Sequence, residues 1–442
     1  MAMRWWCDSW IMSSEILELP LFPPERATAP PPARRHGNLA DDLAAFCEFG
    51  EATRLLTTRS ATFEGSPIEV PTYVNEYWTA RQRQASSLHE VSYRACFKPQ
   101  LPRFFIERLT VAGERVYDPF MGRGTTPIEV ALLGRVPVGC DINPLSQTFV
   151  RPRLRPPTLG EVEARLKLIP LDDAGECPDE LLVFYHPETL RQISALKKYI
   201  LRRRADGSAD ALDDWIALVS LNRLTGHSAG FFSVYTLPPN QAVSVKSQLR
   251  INAKRNQVPP VRDTRKIILK KSKQLLGDVT AGVRGTLASV ADAALLVTSR
   301  SSETPQIPSG SVSLVVTSPP FLDVVQYDAD NWLRCWFLGV DSKSVNITML
   351  KKLDQWQEAM TAVFRELHRV LKPGGHVAFE VGEVHGGKTK LEEAVLPCGI
   401  AAGLEPVLIA INDQEFTKTA NCWGVDNMGK GTNTNRIVVF KK

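Results

Sequence analysis

Short apolar runs followed by turns and helical patterns dominate the chain from about residue 68 onward. We expect each run to be a buried strand, because the runs span four to six residues and have apolar centres. The expected strands are 115–118, 136–141, 313–318, 376–381 and 436–440. Strands that alternate with helical patterns predict an α/β fold with a doubly wound mixed sheet of the Rossmann-like type.

The same pattern divides the chain into four parts. Residues 1–60 are expected to be a flexible, Pro-rich lead-in that includes a helix within 39–56. Residues 61–155 and 286–442 are the two parts of the sheet domain, and residues 156–285 between them are expected to be a helical insert. Ligands of such sheets bind beyond the carboxyl ends of the strands, so functional residues are expected there.

The turn after the first expected strand has a composition typical of a nucleoside site. It is Asp118-Pro-Phe-Met-Gly-Arg-Gly-Thr-Thr126, and a helical pattern follows it. Gly122 and Gly124 allow a tight turn and a close approach of the backbone to a ligand, although glycines alone would fit any strand-to-helix turn. Asp118 can receive an ammonium group, and Asp141, at the end of the next strand, is placed to bond ribose hydroxyls. The lack of a third glycine favours a nucleoside with an amino-acid tail over a dinucleotide.

A second motif, Thr317-Ser-Pro-Pro-Phe321, follows the third expected strand. Together the two motifs resemble those of the amino-group DNA methyltransferases, which use S-adenosylmethionine, and the resemblance covers roughly residues 90–150 and 285–442. The resemblance implies a class I methyltransferase fold and a set of cofactor-binding residues. These are Asp118, Phe120, Gly122, Gly124 and Thr125 around the methionine part, Asp141 at the ribose and Asp292 near the adenine amino group.

The second motif suits methyl transfer to an exocyclic amino group of a base. Such a nitrogen is a poor nucleophile, and hydrogen-bond acceptors help by drawing its lone pair out of conjugation with the ring. The expected acceptors are Ser318 and the carbonyl of Pro319, with Pro319 and Pro320 fixing the backbone and Phe321 stacking on a flipped base. In-line transfer then needs no covalent enzyme intermediate. Without the glycine motif, the same residues would more simply be a strand capped by a Pro-Pro turn.

Serine at position 318 favours cytosine N4 as the target. By the resemblance, adenine-N6 enzymes mostly have Asp at this position, and adenine N6 and RNA amino groups stay open as alternatives. Methylation of cytosine C5 is disfavoured because Cys398, in a Pro-Cys context, lies far downstream of the third strand, so we expect Cys398 to be structural. A rival of another class is a nucleic-acid-binding scaffold with an inactive methyltransferase fold.

Basic residues are concentrated in the insert. Residues 246–273 contain ten Lys or Arg and a single acid, Asp263, whereas the whole chain has a net charge of only +5. A charge run is usually a solvated helix face, but this imbalance favours contact with the phosphates of double-stranded DNA. The expected DNA-binding residues are Lys246, Arg250, Lys254, Arg255, Arg262, Arg265 and Lys266. We therefore expect the insert to be the target-recognition region, and family habit suggests a cognate restriction endonuclease as a partner.

Length and composition exclude several other classes of protein. The 442 residues, 43% of them hydrophobic, can bury a large core. No run approaches a membrane span, and Asp8 and Glu15 interrupt the N-terminal segment, so we expect neither a membrane protein nor a signal peptide but a cytoplasmic location. The eight cysteines have no C-x-x-C spacing and the seven histidines no metal motif, so no metal cofactor is expected.

Overall fold

The computed structural model describes residues 38–79, 85–93, 96–236, 243–320, 327–342, 345, 350, 352–384, 389–413 and 434–442. Most of the expected lead-in (residues 1–37) and the expected stacking residue Phe321 lie outside the described residues. Within the described ranges, no helix is both long and apolar enough to cross a membrane.

A nine-stranded mixed sheet organises the described chain, in the order β1-β2-β10-β11-β7-β6-β3-β4-β5. Its strands are β1 (Arg54–Ala61), β2 (Pro67–Asn75), β3 (Arg115–Asp118), β4 (Val136–Asp141), β5 (Leu295–Thr298), β6 (Val312–Thr317), β7 (Leu371–Val381), β10 (Glu405–Asp413) and β11 (Thr434–Lys441). Two short strands, β8 (Glu383–Val384) and β9 (Thr389–Lys390), form a separate ribbon.

The strand directions create the crevice in which ligands of such sheets bind. Strands β7, β6, β3, β4 and β5 are mutually parallel, whereas β11 is antiparallel to both β7 and β10. Strand β4 lies on one side of β3 and β6 on the other, so the strand order reverses between β3 and β6. The carboxyl ends of β3 and β6 therefore border the switch point of the sheet.

Thirteen helices, counted in the described part of the chain, surround the sheet and build the insert. They are α1 (Leu39–Ala44), α2 (Gln100–Leu109), α3 (Thr125–Leu132), α4 (Leu145–Leu154), α5 (Leu159–Leu168), α6 (Pro187–Ala205), α7 (Ala211–Leu221), α8 (Val245–Arg255), α9 (Thr264–Leu275), α10 (Ala281–Ala291), α11 (Tyr327–Leu338), α12 (Leu353–Val370) and α13 (Leu391–Ala401).

Alternate residues of the central strands face two different apolar cores. Val315 of β6 packs in the core formed with α12 and α13, whereas its neighbours Leu314 and Val316 pack in the core formed with α1 and α2. This two-sided burial explains why the central strands are continuous apolar runs rather than alternating ones. A third core joins the insert helices to α3, α4 and α11. The insert thus shares its core with α3, the helix that follows the glycine-containing turn.

The structure corrects the expectation for the N-terminal part. The predicted helix over residues 39–56 is confirmed only as the six-residue α1, and the lead-in predicted to reach residue 60 already contains strand β1. Strand β1 pairs antiparallel with β2, which joins the sheet beside β10. The residues of β1 are mostly exposed, so its sequence lacks the apolar alternation that would reveal a strand. Strands β2, β5 and β10 of the sheet are likewise absent from the predicted set.

Candidate active site

The two motifs meet at the same edge of the sheet. Strands β3 and β6 are parallel neighbours, with Tyr117 opposite Val315. At their carboxyl ends the Thr317 hydroxyl donates to Asp118 Oδ1 over 2.6 Å, and this bond is buried. A second bond, 3.2 Å long, runs from the Thr126 hydroxyl to the carbonyl of Val316. The glycine loop and the turn after β6 therefore border one crevice.

The glycine loop depends on its two glycines for different reasons. Gly122 has a φ of 49° and Gly124 a φ of 84°, both in the left-handed region. A Cβ on Gly124 would lie 2.3 Å from the Val150 side chain, whereas one on Gly122 would only reach the ring of Tyr93 at 3.6 Å. Gly124 thus lets the loop close against α4, and Gly122 leaves room beside an aromatic ring. Thr125 then begins α3.

Asp118 is a buried carboxylate held by neutral donors. Its Oδ1 accepts the Thr317 hydroxyl and the backbone N–H of Phe120, the latter at 3.0 Å. Burial raises the pKa of Asp118 to about 7, although these hydrogen bonds oppose the rise. Across the described residues no cationic side chain forms an ion pair with Asp118. An ammonium group from a ligand would supply the missing positive charge, as the sequence suggests.

Asp141 braces the same loop from the neighbouring strand. Its Oδ2 accepts the N–H of Gly122 at 2.8 Å, and its Oδ1 accepts the N–H of Asn143 at 2.9 Å. Burial raises the pKa of Asp141, and these backbone donors counteract the rise. Each oxygen keeps a further lone pair, so the carboxylate can still accept ribose hydroxyls. The structure therefore brings Asp118, Phe120, Gly122, Gly124, Thr125 and Asp141 together.

The structure does not bring Asp292 to this site. Asp292 follows α10 and precedes β5, and Thr298 at the end of β5 is the residue that pairs with Asp141. Because β4 and β5 are parallel, Asp292 lies beyond the amino end of β5, at the opposite edge of the sheet from Asp141. Its side chain is 90% exposed and bonded to Arg155. The predicted contact of Asp292 with the adenine amino group is therefore not supported, because Asp292 lies at the opposite edge of the sheet from the glycine loop.

The turn after β6 is anchored to α12. Ser318 is half-buried, Pro319 is buried and Pro320 is exposed. The indole N–H of Trp356 donates to the carbonyl of Pro320 over 3.2 Å, which ties the turn to α12. The two prolines also remove two backbone donors and restrict φ, so the acceptor edge is rigid.

Glu380 is a site residue that the sequence analysis missed. It lies on β7 and is 6% exposed, and the pairing of β6 with β7 places Ser318 beside it, where the Ser318 side chain acts to lower the pKa of its carboxylate. The side-chain amide of Asn435 donates to Glu380 Oε1 over 3.2 Å. Burial raises the pKa of Glu380 despite these bonds. A carboxylate inside the apolar run His376–Val381 is the signal that could have revealed it.

The basic residues of the insert fall into two groups. Lys246, Arg250 and Lys254 are exposed and recur every four residues along α8, so they share one helix face. Arg255 is exposed at the end of α8, with its guanidinium 3.7 Å from the Tyr235 ring centroid.

The other expected DNA-binding residues, Arg262, Arg265 and Lys266, have contacts within the protein. Arg265 donates to the carbonyls of Leu166 and Ile169, and Lys266 pairs with Asp263 at 3.4 Å. The backbone N–H of Arg262 donates to the Thr189 hydroxyl, and its side chain is half-buried. Of the expected DNA-binding residues, those on α8 are the most available to a partner.

Cys398 has the structural position expected from the sequence. It is buried in α13, and its Sγ lies 3.5 Å from the carbonyls of both Gln357 and Ala394. Burial raises the pKa of Cys398 to about 11, which disfavours the nucleophilic thiolate. Among the residues that the structure describes, no group of three or more His, Cys, Asp or Glu side chains could hold a metal ion.

The sheet and its loops define a class of protein. A doubly wound mixed sheet with an antiparallel strand β11, a glycine loop after β3 and an acid at the end of β4 is the Rossmann-like class I methyltransferase fold. A family model described as DNA methylase, of the N6_N4_Mtase family, matches residues 64–147, which contain the glycine loop and Asp141.

Curated relatives are similar to larger or smaller parts of the chain. The type II methyltransferase M.BsoBI of Geobacillus stearothermophilus is 22% identical over 337 residues, which are 70% of this chain and 63% of that protein. The type II methyltransferase M.MvaI of Kocuria varians is 33% identical over 97 residues, 21% of this chain and 20% of that protein. The chain thus spans less than two thirds of the length of these relatives.

Solved structures are more distant. A DNA modification methylase homologue from Thermus thermophilus, complexed with S-adenosyl-L-methionine, is 22% identical with a TM-score of 0.19, over 30% of this chain and 49% of that chain. The rRNA methyltransferase aviRa of Streptomyces viridochromogenes is 10% identical with a TM-score of 0.33, over 83% of this chain and 94% of that chain. The family model and the type II relatives confirm the resemblance to the amino-group DNA methyltransferases; the family model covers the glycine loop and not the turn at Thr317–Phe321.

Proposed function

We propose that the protein is a DNA methyltransferase that uses S-adenosylmethionine and methylates the exocyclic N4 of cytosine in double-stranded DNA. The observation that carries the proposal is the buried 2.6 Å hydrogen bond between Thr317 and Asp118. It joins the residue that precedes Ser318 to the acid that begins the glycine loop. A methyl donor at the loop and an amino group at the turn would therefore share one crevice.

The loop residues fit the cofactor. Asp118 is a buried carboxylate with no cationic partner among the described residues, so it can bind the ammonium group of the cofactor. Asp141 has two carboxylate oxygens that can accept the ribose hydroxyls. Gly122, beside the ring of Tyr93, leaves space for a ligand at the backbone. When bound, S-adenosylmethionine supplies an electrophilic methyl group on a sulfonium.

Ser318 and Glu380 would prepare the target amino group. With its hydroxyl directed at the neighbouring Glu380 carboxylate, Ser318 would keep its oxygen lone pairs to accept a hydrogen bond from the target nitrogen. The carbonyl of Pro319 would accept the second hydrogen, and the nitrogen lone pair is then released towards the methyl donor. Glu380 is buried and its pKa is raised, so it suits the eventual acceptance of a proton through Ser318.

The target preference and the DNA contacts belong to the same proposal. Serine at position 318 supports cytosine N4 over adenine N6, and the exposed stripe Lys246, Arg250 and Lys254 supports a phosphate-bearing substrate. Phe321 is proposed to stack on a base extruded from the duplex. A type II relative such as M.BsoBI supports a proposed restriction endonuclease partner.

Transfer of labelled methyl groups tests the proposal. Purified protein is incubated with labelled S-adenosylmethionine and either duplex DNA or total RNA, beside the variant Ser318→Ala. We expect incorporation into DNA, with a loss of about 100-fold or more in the variant. Equal incorporation by both proteins would contradict the role of Ser318, and incorporation into RNA alone would replace DNA as the substrate.

A further inference from the structure

A short loop of the insert exposes two apolar side chains beside the basic stripe. Residues 257–262 join α8 to α9, and Val258 and Val261 flank Pro259 and Pro260. Val258 is 83% exposed, more than any other large apolar side chain of the described residues, and Val261 is 51% exposed. Single exposed apolar residues are ordinary, but two on one short loop call for an explanation.

The loop is fixed at both ends rather than free to fold inward. The Gln257 side-chain amide donates to the carbonyl of Tyr235 at 2.9 Å and to Asn252 Oδ1 at 2.8 Å. At the other end the backbone N–H of Arg262 donates to the Thr189 hydroxyl at 2.8 Å. With two prolines between these anchors, the valines are held outward before any partner binds, which lowers the entropy cost of using them.

The charges around the loop favour a polyanionic partner. Helix α8 carries the stripe Lys246, Arg250 and Lys254 and contains no Asp or Glu, and the loop itself contains none. The first acid after the loop, Asp263, caps α9 through the Lys266 N–H and pairs with the Lys266 ammonium. Asp179 and Glu180 lie on the neighbouring turn, but among the described residues no ion pair involves Lys246, Arg250 or Lys254. The apolar tip therefore adjoins basic side chains that can contact the phosphates of DNA.

Contiguous packing links this surface to the helix that follows the proposed catalytic turn. The Asn252 amide on the inner face of α8 donates to the carbonyl of Val183 at 2.7 Å. The next residue, Phe184, has its ring 6.0 Å from that of Trp332 on α11. Helix α11 begins at Tyr327, a few residues after Pro320. DNA bound on α8 would thus lie on a scaffold that is packed against helix α11.

We propose that Val258 and Val261 form an apolar wedge that inserts at a base step of duplex DNA docked on the α8 stripe. The inference rests on the proposed function, in which duplex DNA is the substrate. Apolar side chains that enter a base step unstack it and bend the duplex. Partial unstacking would lower the cost of extruding the target base towards Ser318.

The test compares three variants on a plasmid DNA fragment that the wild-type protein methylates. The variants are Val258→Ser/Val261→Ser, Lys246→Gln/Arg250→Gln/Lys254→Gln, and the control Leu168→Ser, which removes another apolar side chain, 77% exposed. Binding is followed by fluorescence anisotropy of the labelled fragment over a series of salt concentrations, and folding by circular dichroism.

We expect the valine variant to bind about tenfold more weakly at every salt concentration, because it loses apolar contact area. A plot of log K against log salt concentration should have the same slope for the valine variant as for the wild type, since no phosphate contact is lost. For the triple charge variant the magnitude of that slope should be smaller by about 3. The Leu168 control should bind like the wild type.

Three results would overturn the wedge without touching the proposed function. They are binding of the valine variant equal to that of the Leu168 control, a change in its salt slope, and a change only in self-association by gel filtration. Absence of methylation by the wild-type protein would instead contradict the proposed function itself.

Discussion

Ser318 and Glu380, the two polar residues that meet behind the turn, differ in how far they are buried. Glu380 is enclosed on β7 and receives bonds from Ser318 and Asn435, while Ser318 is only half-buried. A Ser318 hydroxyl that donates to Glu380 would direct its oxygen lone pairs towards the crevice. Glu380 is thus a positioning residue that acts through Ser318.

Substitution of Glu380 should affect turnover more than binding. We expect Glu380→Ala to lower kcat about 100-fold while KM for the cofactor stays near the wild-type value. Glu380→Gln keeps an acceptor oxygen for Ser318, so it should retain more activity than the alanine variant. Steady-state kinetics and thermal unfolding of both variants give the answer. Equal losses in the two variants, or losses that follow thermal stability, would mean that Glu380 only supports the fold.

Cofactor binding should depend on the ionisation of Asp118. Burial raises its pKa to about 7, and only the carboxylate form attracts an ammonium group. Affinity should therefore be full above this pKa and fall as the pH drops through it, approaching about tenfold per pH unit well below. Thr317→Val removes a hydrogen-bond donor that stabilises the Asp118 carboxylate, so the pKa of Asp118 rises and the loss of cofactor affinity should begin at higher pH. Thr317→Ser keeps the donor and should give the wild-type pH profile. Isothermal titration calorimetry with S-adenosylmethionine gives these profiles, and identical profiles for all three proteins would reject the link.

At the scale of elements, the glycine loop is a tight junction between β3, α3 and α4. Its closure relies on the left-handed Gly124, which lies against Val150, and on the Gly122 N–H held by Asp141. The loop is thus shaped by two neighbouring elements before a ligand arrives, and this pre-organisation favours binding.

The insert helices α8 and α9 differ in the exposure of their basic side chains: those of α8 are exposed, whereas Lys271 of α9 is buried.

Gly124→Ala should destabilise the protein through two separable effects. Gly113 has a similar φ of 81° but open space at the Cβ position, so Gly113→Ala measures the backbone effect alone. We expect about 1 kcal/mol for Gly113→Ala and about 2–4 kcal/mol for Gly124→Ala, because the latter also clashes with Val150. Denaturant unfolding of the two variants measures the difference. Similar losses would show that α4 yields to the added methyl group.

Across the whole molecule, the sequence predicts those features that local pattern determines. Strands β3 and β4 have the bounds that the sequence predicts, because strands buried on both faces are continuous apolar runs. The hairpin strand β1 escapes prediction because Leu55 and Leu56 are exposed, and pairing with β2 rather than burial makes it a strand.

Contacts between distant segments are the other limit of prediction. The bond of Ser318 to Glu380 joins residues far apart in sequence, and only the pairing of β6 with β7 brings them together. The basic run likewise mixes exposed and structural side chains. Lys271 is 5% exposed, burial lowers its pKa to about 8, and its ammonium lies 3.7 Å from Glu90. Residue type alone does not distinguish it from Lys254.

Mass spectrometry of nucleosides tests most directly whether this crevice methylates an amino group of DNA. Unmethylated plasmid DNA is incubated with S-adenosylmethionine and either the wild-type protein or Ser318→Ala, then digested to nucleosides. We expect N4-methylcytosine from the wild-type protein and almost none from the variant. N6-methyladenine would correct the target base, whereas 5-methylcytosine, or DNA without any methylated base, would contradict amino-group transfer at the Thr317–Asp118 junction.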